Sequence, residues 1–245
     1  MYGIFFKKKI SSVTACFFLF ALLSIGCGLE TLYYLNPPKS GHDIFYTNDD
    51  RQQDYFYFIT GDNSEASAGE FNFEGTEIYY KIFNNDSTMK TFISELDSLQ
   101  SSSDISAAAN SIINSKKYVP LISSTQRETP LVRSDNAVVE IRLNKYNDSN
   151  PNCIKINGVT SFNPRRNGNF GSRIYGFEFS KDDTNNPIPK QGDEDVEWSS
   201  STTEPGVWYV DLWAFSSGRD VSFTPSYSKA LHLGCIKIRE SEYNK

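Results

Sequence analysis

The chain has 245 residues, a formal net charge of −6 at pH 7, and aromatic side chains at 14% of its length. Apart from Lys7-Lys8-Lys9 it carries no basic run that would track phosphates, which excludes nucleic acid as an expected partner. Two methionines against 14 tyrosines and 18 phenylalanines favour sheets joined by polar loops over a helical bundle.

The N-terminus has three parts: the lysines at 7–9, an apolar run from Val13 to Leu23, and Ser24-Ile25-Gly26-Cys27. This is the layout of a secretory signal, and its apolar core is shorter than the roughly 20 residues a membrane-spanning helix needs. Leu23-Ser24-Ile25-Gly26-Cys27 resembles the bacterial lipobox, with the leucine one place further upstream than usual. The resemblance implies that residues 1–26 are removed and that Cys27 is acylated, tying the mature chain to a membrane in the cell envelope, periplasmic or surface-exposed. The alternative is an ordinary signal peptide with a cysteine by chance. Cleavage takes three lysines and no acids, so the charge moves from −6 to −9 and attraction to anionic lipid is not expected. Several acyl chains, each adding about 0.8 kcal/mol per buried methylene, would do the anchoring instead. Residues 27–41 read as a lipidated tether, with Pro37-Pro38 favouring an extended course.

Residues 42–245 read as one mainly β domain. The first strands fall at Ile44–Tyr46 and Asp54–Thr60, the second ending at Gly61-Asp62-Asn63. Phe71-Asn72-Phe73 follows, then Thr76–Phe83, where Ile78, Tyr80 and Ile82 share one face and Glu77, Tyr79 and Lys81 the other. That period of two predicts a half-buried strand. The period then lengthens. Met89, Phe92, Ile93, Leu96 and Leu99, then Ile105, Ala108, Ala109, Ile112 and Ile113, predict a helical hairpin inserted at 86–117, with Asp86 or Ser87 as its N-cap. Further strands are expected at Ala137–Leu143, Cys153–Val159 and Arg173–Phe179. An acidic loop spans 181–195, and the clearest strands are Val207–Phe215 and Leu231–Ile238. Many short strands around one helical insertion indicate a β-sandwich.

Pro205-Gly206-Val207-Trp208-Tyr209-Val210-Asp211-Leu212-Trp213-Ala214, with Gly218 beyond, resembles the penultimate strand of fibronectin type III and related immunoglobulin-like domains. The match covers about thirty residues and implies an immunoglobulin-like β-sandwich. The relaxed lipobox and the Asn/Ser/Tyr-rich strands also resemble the uncharacterised lipoproteins of spirochaetes.

Candidate chemistry is sparse. Neither His42 nor His232 lies in a nucleophile motif, and no signature for zinc, nucleotide or redox chemistry occurs, so no cofactor is expected. Asp182, Asp183, Asp193 and Asp195 gather in the acidic loop. They read as a solvated charge run, with calcium as the alternative, or, together with Glu194 and Glu197, as the carboxylates of a glycosidase-like surface hydrolase. Both faces of Val207–Phe215 are heavy. Either the helical hairpin covers the second face, or Tyr209, Asp211 and Trp213 form a ligand platform for a sugar or peptide. Cys153 and Cys235, both in predicted strands, are expected to pair or else to be two separate buried thiols. The function that fits best is a non-enzymatic binding, adhesion or structural module, facing an extracellular or periplasmic protein or glycan.

Overall fold

The computed structural model describes residues 34–41, 55–64, 71–144, 151–202 and 204–240. The signal segment, Cys27, His42 and the strand expected at 44–46 lie outside them.

The fold is mainly β: a sandwich of two sheets with a helical insertion. Thirteen strands are assigned among the described residues: β1 Lys39–Ser40, β2 Phe56–Ile59, β3 Phe71–Phe83, β4 Val119–Pro120, β5 Ile122–Ser123, β6 Val138–Arg142, β7 Cys153–Ile156, β8 Val159–Phe162, β9 Pro164–Arg165, β10 Val196–Glu197, β11 Val207–Asp220, β12 Pro225–Tyr227 and β13 Leu231–Arg239. One sheet is antiparallel throughout, in the order β1-β2-β6-β7-β8. The other is built on the two longest strands, β3 and β11, which run antiparallel from Tyr209 opposite Phe83 to Asp220 opposite Phe71. On its other side β11 pairs with β13 and then β12, while β3 takes β4 and, in parallel, β10.

Period-two alternation puts Ile78, Tyr80 and Ile82 of β3 and Trp208, Val210, Leu212 and Ala214 of β11 toward the first sheet. There they pack with Phe56, Phe58, Val139, Ile141 and Ile154. The opposite faces of β3 and β11 are buried as well. Tyr79, Phe83, Tyr209, Trp213 and Phe215 pack beneath two helical segments, α1 Asp86–Leu99 and α2 Ala107–Asn110, the latter continuing into a π-helical turn at Ser111–Ser115. The central sheet is thus covered on both sides. This corrects the half-buried reading of β3, because Glu77 and Lys81 also lie inside.

The helical insertion falls where the 3–4 residue spacing predicts it. Met89, Ile93, Leu96, Ala108, Ala109 and Ile112 are fully buried, while Phe92 and Ile113 are half-buried at its margin. The N-cap is Asn85, ahead of the expected Asp86 or Ser87. Its side-chain oxygen accepts from the Thr88 N–H at 2.9 Å, and its amide donates to the Ser201 carbonyl. At the far end the cation that meets the last carbonyls comes from outside the insertion: Lys81 Nζ donates to Lys116 O at 2.8 Å and Lys117 O at 3.2 Å.

The strand expected at Arg173–Phe179 does not form. Single bridges, Arg166 with Tyr175 and Ser180 with Pro187, replace a ladder, and Phe179 sits in the left-handed region at φ 38°. Phe177 and Phe179 are nevertheless buried in the sandwich core, so the apolar spacing was right about burial and wrong about backbone.

Candidate functional site

Asp211 lies in the middle of β11 and is fully buried. Alternation turns it, with Tyr209 and Trp213, toward the helices. Its Oδ1 is 2.6 Å from His232 Nε2, while Oδ2 accepts from Tyr118 Oη at 2.7 Å and from Trp213 Nε1 at 2.8 Å. The rings of Trp213 and His232 stack with centroids 4.5 Å apart. Burial, and then the Asp211 charge, push the Tyr118 phenol well above its ordinary pKa, so it stays a donor. Three side chains meet this one carboxylate, and its full burial keeps it from any ligand in solution. Residues Tyr209, Asp211 and Trp213 are therefore not an exposed platform: the helical insertion lies over them, and they are at most 8% exposed.

The acidic loop is committed in a similar way. Arg166, fully buried, donates from Nε to Asp195 Oδ2 and from Nη2 to Asp195 Oδ1, both at 2.8 Å, and from Nη2 to Asp193 Oδ2 at 3.0 Å. Tyr80 Oη adds a further bond to Asp195 at 2.8 Å. Burial works against the Arg166 charge, yet the Asp195 bond and its charge more than offset this and hold the guanidinium firmly protonated. The calcium alternative at Asp182, Asp183, Asp193 and Asp195 is thereby corrected. Arg166 takes both oxygens of Asp195 and Oδ2 of Asp193, while Asp183 Oδ1 and Oδ2 accept from the Asn185 N–H and the Asn186 amide in an exposed turn. Among the described residues no group of three or more His, Cys, Asp or Glu is poised to hold a metal.

The expected pairing of Cys153 with Cys235 is also corrected. The sequence pattern places Leu233 and Cys235 on one face, but a bulge intervenes. Leu212 is opposite Gly234, whose φ is 113°, and Trp213 is opposite His232, so Leu233 is an extra residue. Leu233 consequently faces the sandwich while Cys235 turns to the helices. Cys153 lies in β7 of the other sheet, and both remain buried thiols. Burial raises the Cys153 pKa.

Two features escape the sequence reading. The first is a cavity of about 260 Å³ along α1, lined by Lys90, Ile93, Ser94 and Asp97. Their i, i+3, i+4, i+7 spacing puts them on one stripe, a signal that was available in the sequence. Partial burial raises the Asp97 pKa from its ordinary value, with His232 acting against that shift. The second feature is the turn after β11, where Val221 and Phe223 stand exposed.

No family model, no curated protein and no solved structure matches this chain.

Proposed function

We propose that the chain is an envelope lipoprotein, held to a membrane by lipid on Cys27, whose immunoglobulin-like β-sandwich acts as a non-enzymatic binding module. The observation that carries this reading is the order of parts at the N-terminus. A positive segment and an apolar run lead to Gly26-Cys27, and the compact unit opens at Tyr34, only seven positions later. A fold that starts directly after an acylated cysteine suits a protein held close to a bilayer. The interior charges support a binding role over catalysis. Asp193 and Asp195, two of the carboxylates a glycosidase-like hydrolase would use, are bonded to Arg166, whereas a general acid needs an apolar pocket and a free proton. The partner class is an extracytoplasmic protein or glycan.

The test is intact mass and fractionation of the full chain made in a bacterial host. The mature protein is expected to begin at Cys27 and to carry acyl chains, and Cys27→Ser is expected to move it from the membrane to the soluble fraction. A soluble, unacylated wild-type product would overturn the reading.

A further inference from the structure

Six large apolar side chains are exposed among the described residues: Tyr34, Ile105, Val159, Trp198, Val221 and Phe223. Two of them share one turn. Asp220 Oδ1 accepts from the N–H groups of Ser222 at 2.8 Å and Thr224 at 2.9 Å, and Phe223 N–H donates to the Asp220 carbonyl at 3.0 Å. This ordered turn holds Phe223 at φ 60°, in the left-handed region that an aromatic residue rarely occupies, with 77% of its surface in solvent. Val221 beside it is 64% exposed. An Asn or Gly at 223 would suit both the backbone and the water better. A well-bonded turn that presents an aromatic and a β-branched side chain outward is built to meet something apolar.

Its place in the fold says what. β1 runs antiparallel to β2, with Lys39 opposite Ile59, so the chain traced back from Ser40 to Tyr34 follows β2 forward, past Ile59 to Asp62 and Asn63. Asn36 is bonded there: its N–H donates to Asn63 Oδ1 at 2.7 Å and its side-chain amide to Asp62 O at 2.6 Å. Its carbonyl accepts from Ser216 Oγ at 2.7 Å. Ser216 is four residues from the end of β11 at Asp220. Residues 34–36 therefore run beside β11 at Ser216, on the strand that leads into the turn, and Tyr34 is 57% exposed.

We infer that the Val221–Phe223 turn is a membrane-contact tip, entering the headgroup–acyl boundary of the same bilayer that holds the lipid on Cys27. The inference rests on the anchor proposed above. Seven residues from Cys27 to Tyr34 reach at most about 24 Å, and five residues of strand from Ser216 to Val221 cover about 17 Å. One bilayer surface can thus meet both the lipidated cysteine and the tip. Two side chains alone would bind a membrane poorly, but the anchor makes their insertion intramolecular, at a high effective concentration. Tyr34, with an apolar ring and a polar hydroxyl, suits the interfacial depth. Charge does not drive the contact, since Arg219 at the base of the turn is paired with Glu74 at 2.9 Å.

The test uses the full acylated chain in phosphatidylcholine vesicles, with a polarity-sensitive fluorophore on Phe223→Cys. Val221→Cys serves as a second probe and Pro205→Cys, exposed at the opposite end of β11, as the control. Cys153 and Cys235 are buried and are not expected to label in the folded protein. The labels at 223 and 221 are expected to be blue-shifted and quenched by lipid-borne quenchers, and the label at 205 to be neither. Water-like emission at 223 and 221 in a chain that Cys27→Ser still releases from vesicles would overturn the tip and leave the anchor standing. A wild-type chain that is never acylated would remove the anchor, and the tip with it.

Discussion

The two faces of β11 are buried by different means. Toward the other sheet it presents Trp208, Val210, Leu212 and Ala214, against Phe56, Phe58, Val139 and Ile141. That layer is held by apolar area, at about 25 cal/mol per Å² removed from water, and its members are largely interchangeable in kind. Toward the helices the same strand presents Tyr209, Asp211, Trp213 and Phe215, and one carboxylate gathers bonds from three side chains on three segments. A hydrogen-bonded carboxylate is directional and does not tolerate exchange. The sandwich core gives the fold its bulk stability. The network fixes where the segment leaving the π-helical turn at Tyr118 and the strand β13 sit on the sheet.

That contrast is most directly broken at Asp211. Asp211→Ala strands the Tyr118 hydroxyl and the Trp213 indole N–H in a dry interior and takes a partner from His232, a change expected to cost roughly 3–5 kcal/mol. Denaturant unfolding measures the total. Hydrogen exchange measures its distribution: amides of α1, α2 and the π-helical turn are expected to lose protection before those of β2, β6 and β7. Uniform loss across both layers would mean that the network does not serve the helical layer in particular. On the other face the response is graded. Ile141→Val removes one methylene from the sandwich core and is expected to cost about 0.5–1.5 kcal/mol, with no preferential opening of the helices.

The sequence makes one of these faces far more legible than the other. Ile78-Tyr80-Ile82 and Trp208-Val210-Leu212 declare an inward face by alternation alone, and that face is where the pattern puts it. Glu77 and Lys81 alternate with them as polar residues and so read as solvent-facing. Their burial depends on a helical layer whose amphipathic stripe tells that it covers something, not what. Asp193 and Asp195 read as solvated because their partner, Arg166, lies 27 and 29 residues upstream in a loop without periodicity. Strict alternation puts Cys235 on the wrong face because parity fails at the Gly234 bulge, and a single glycine in a strand does not announce whether it bulges. The Asp211 network was missed for a related reason. Its members come from β11, β13 and the residue before β4, and their meeting is a product of tertiary packing.

Glu77 allows the smallest and most discriminating measurement, because it is a polar group on the helix-facing side that is incompletely compensated. It is 7% exposed, lies opposite Phe215, and accepts a bond from Tyr79 Oη at 3.1 Å. Burial raises its pKa above the ordinary carboxylate value. The bonds from Ser217 and Tyr79 oppose that shift, and the Glu74 charge adds to it. With the folded pKa above the unfolded one, the native state binds more protons over the window between them. Stability therefore falls as pH rises through that window, and the cost is fully present above the folded pKa. Glu77→Gln keeps an oxygen for the Tyr79 hydroxyl and removes the titration. At about pH 3, below the ordinary glutamate value of about 4.3, both side chains are neutral, and the two proteins are expected to unfold at similar urea concentrations. At pH 7 the variant is expected to be the more stable of the two, by a small margin. A wild type that is instead the more stable at pH 7 would mean that the Ser217 and Tyr79 bonds to the charged form outweigh its burial. Glu77 would then hold its layer together as Asp211 does, and the polar groups on this face would all act as fasteners.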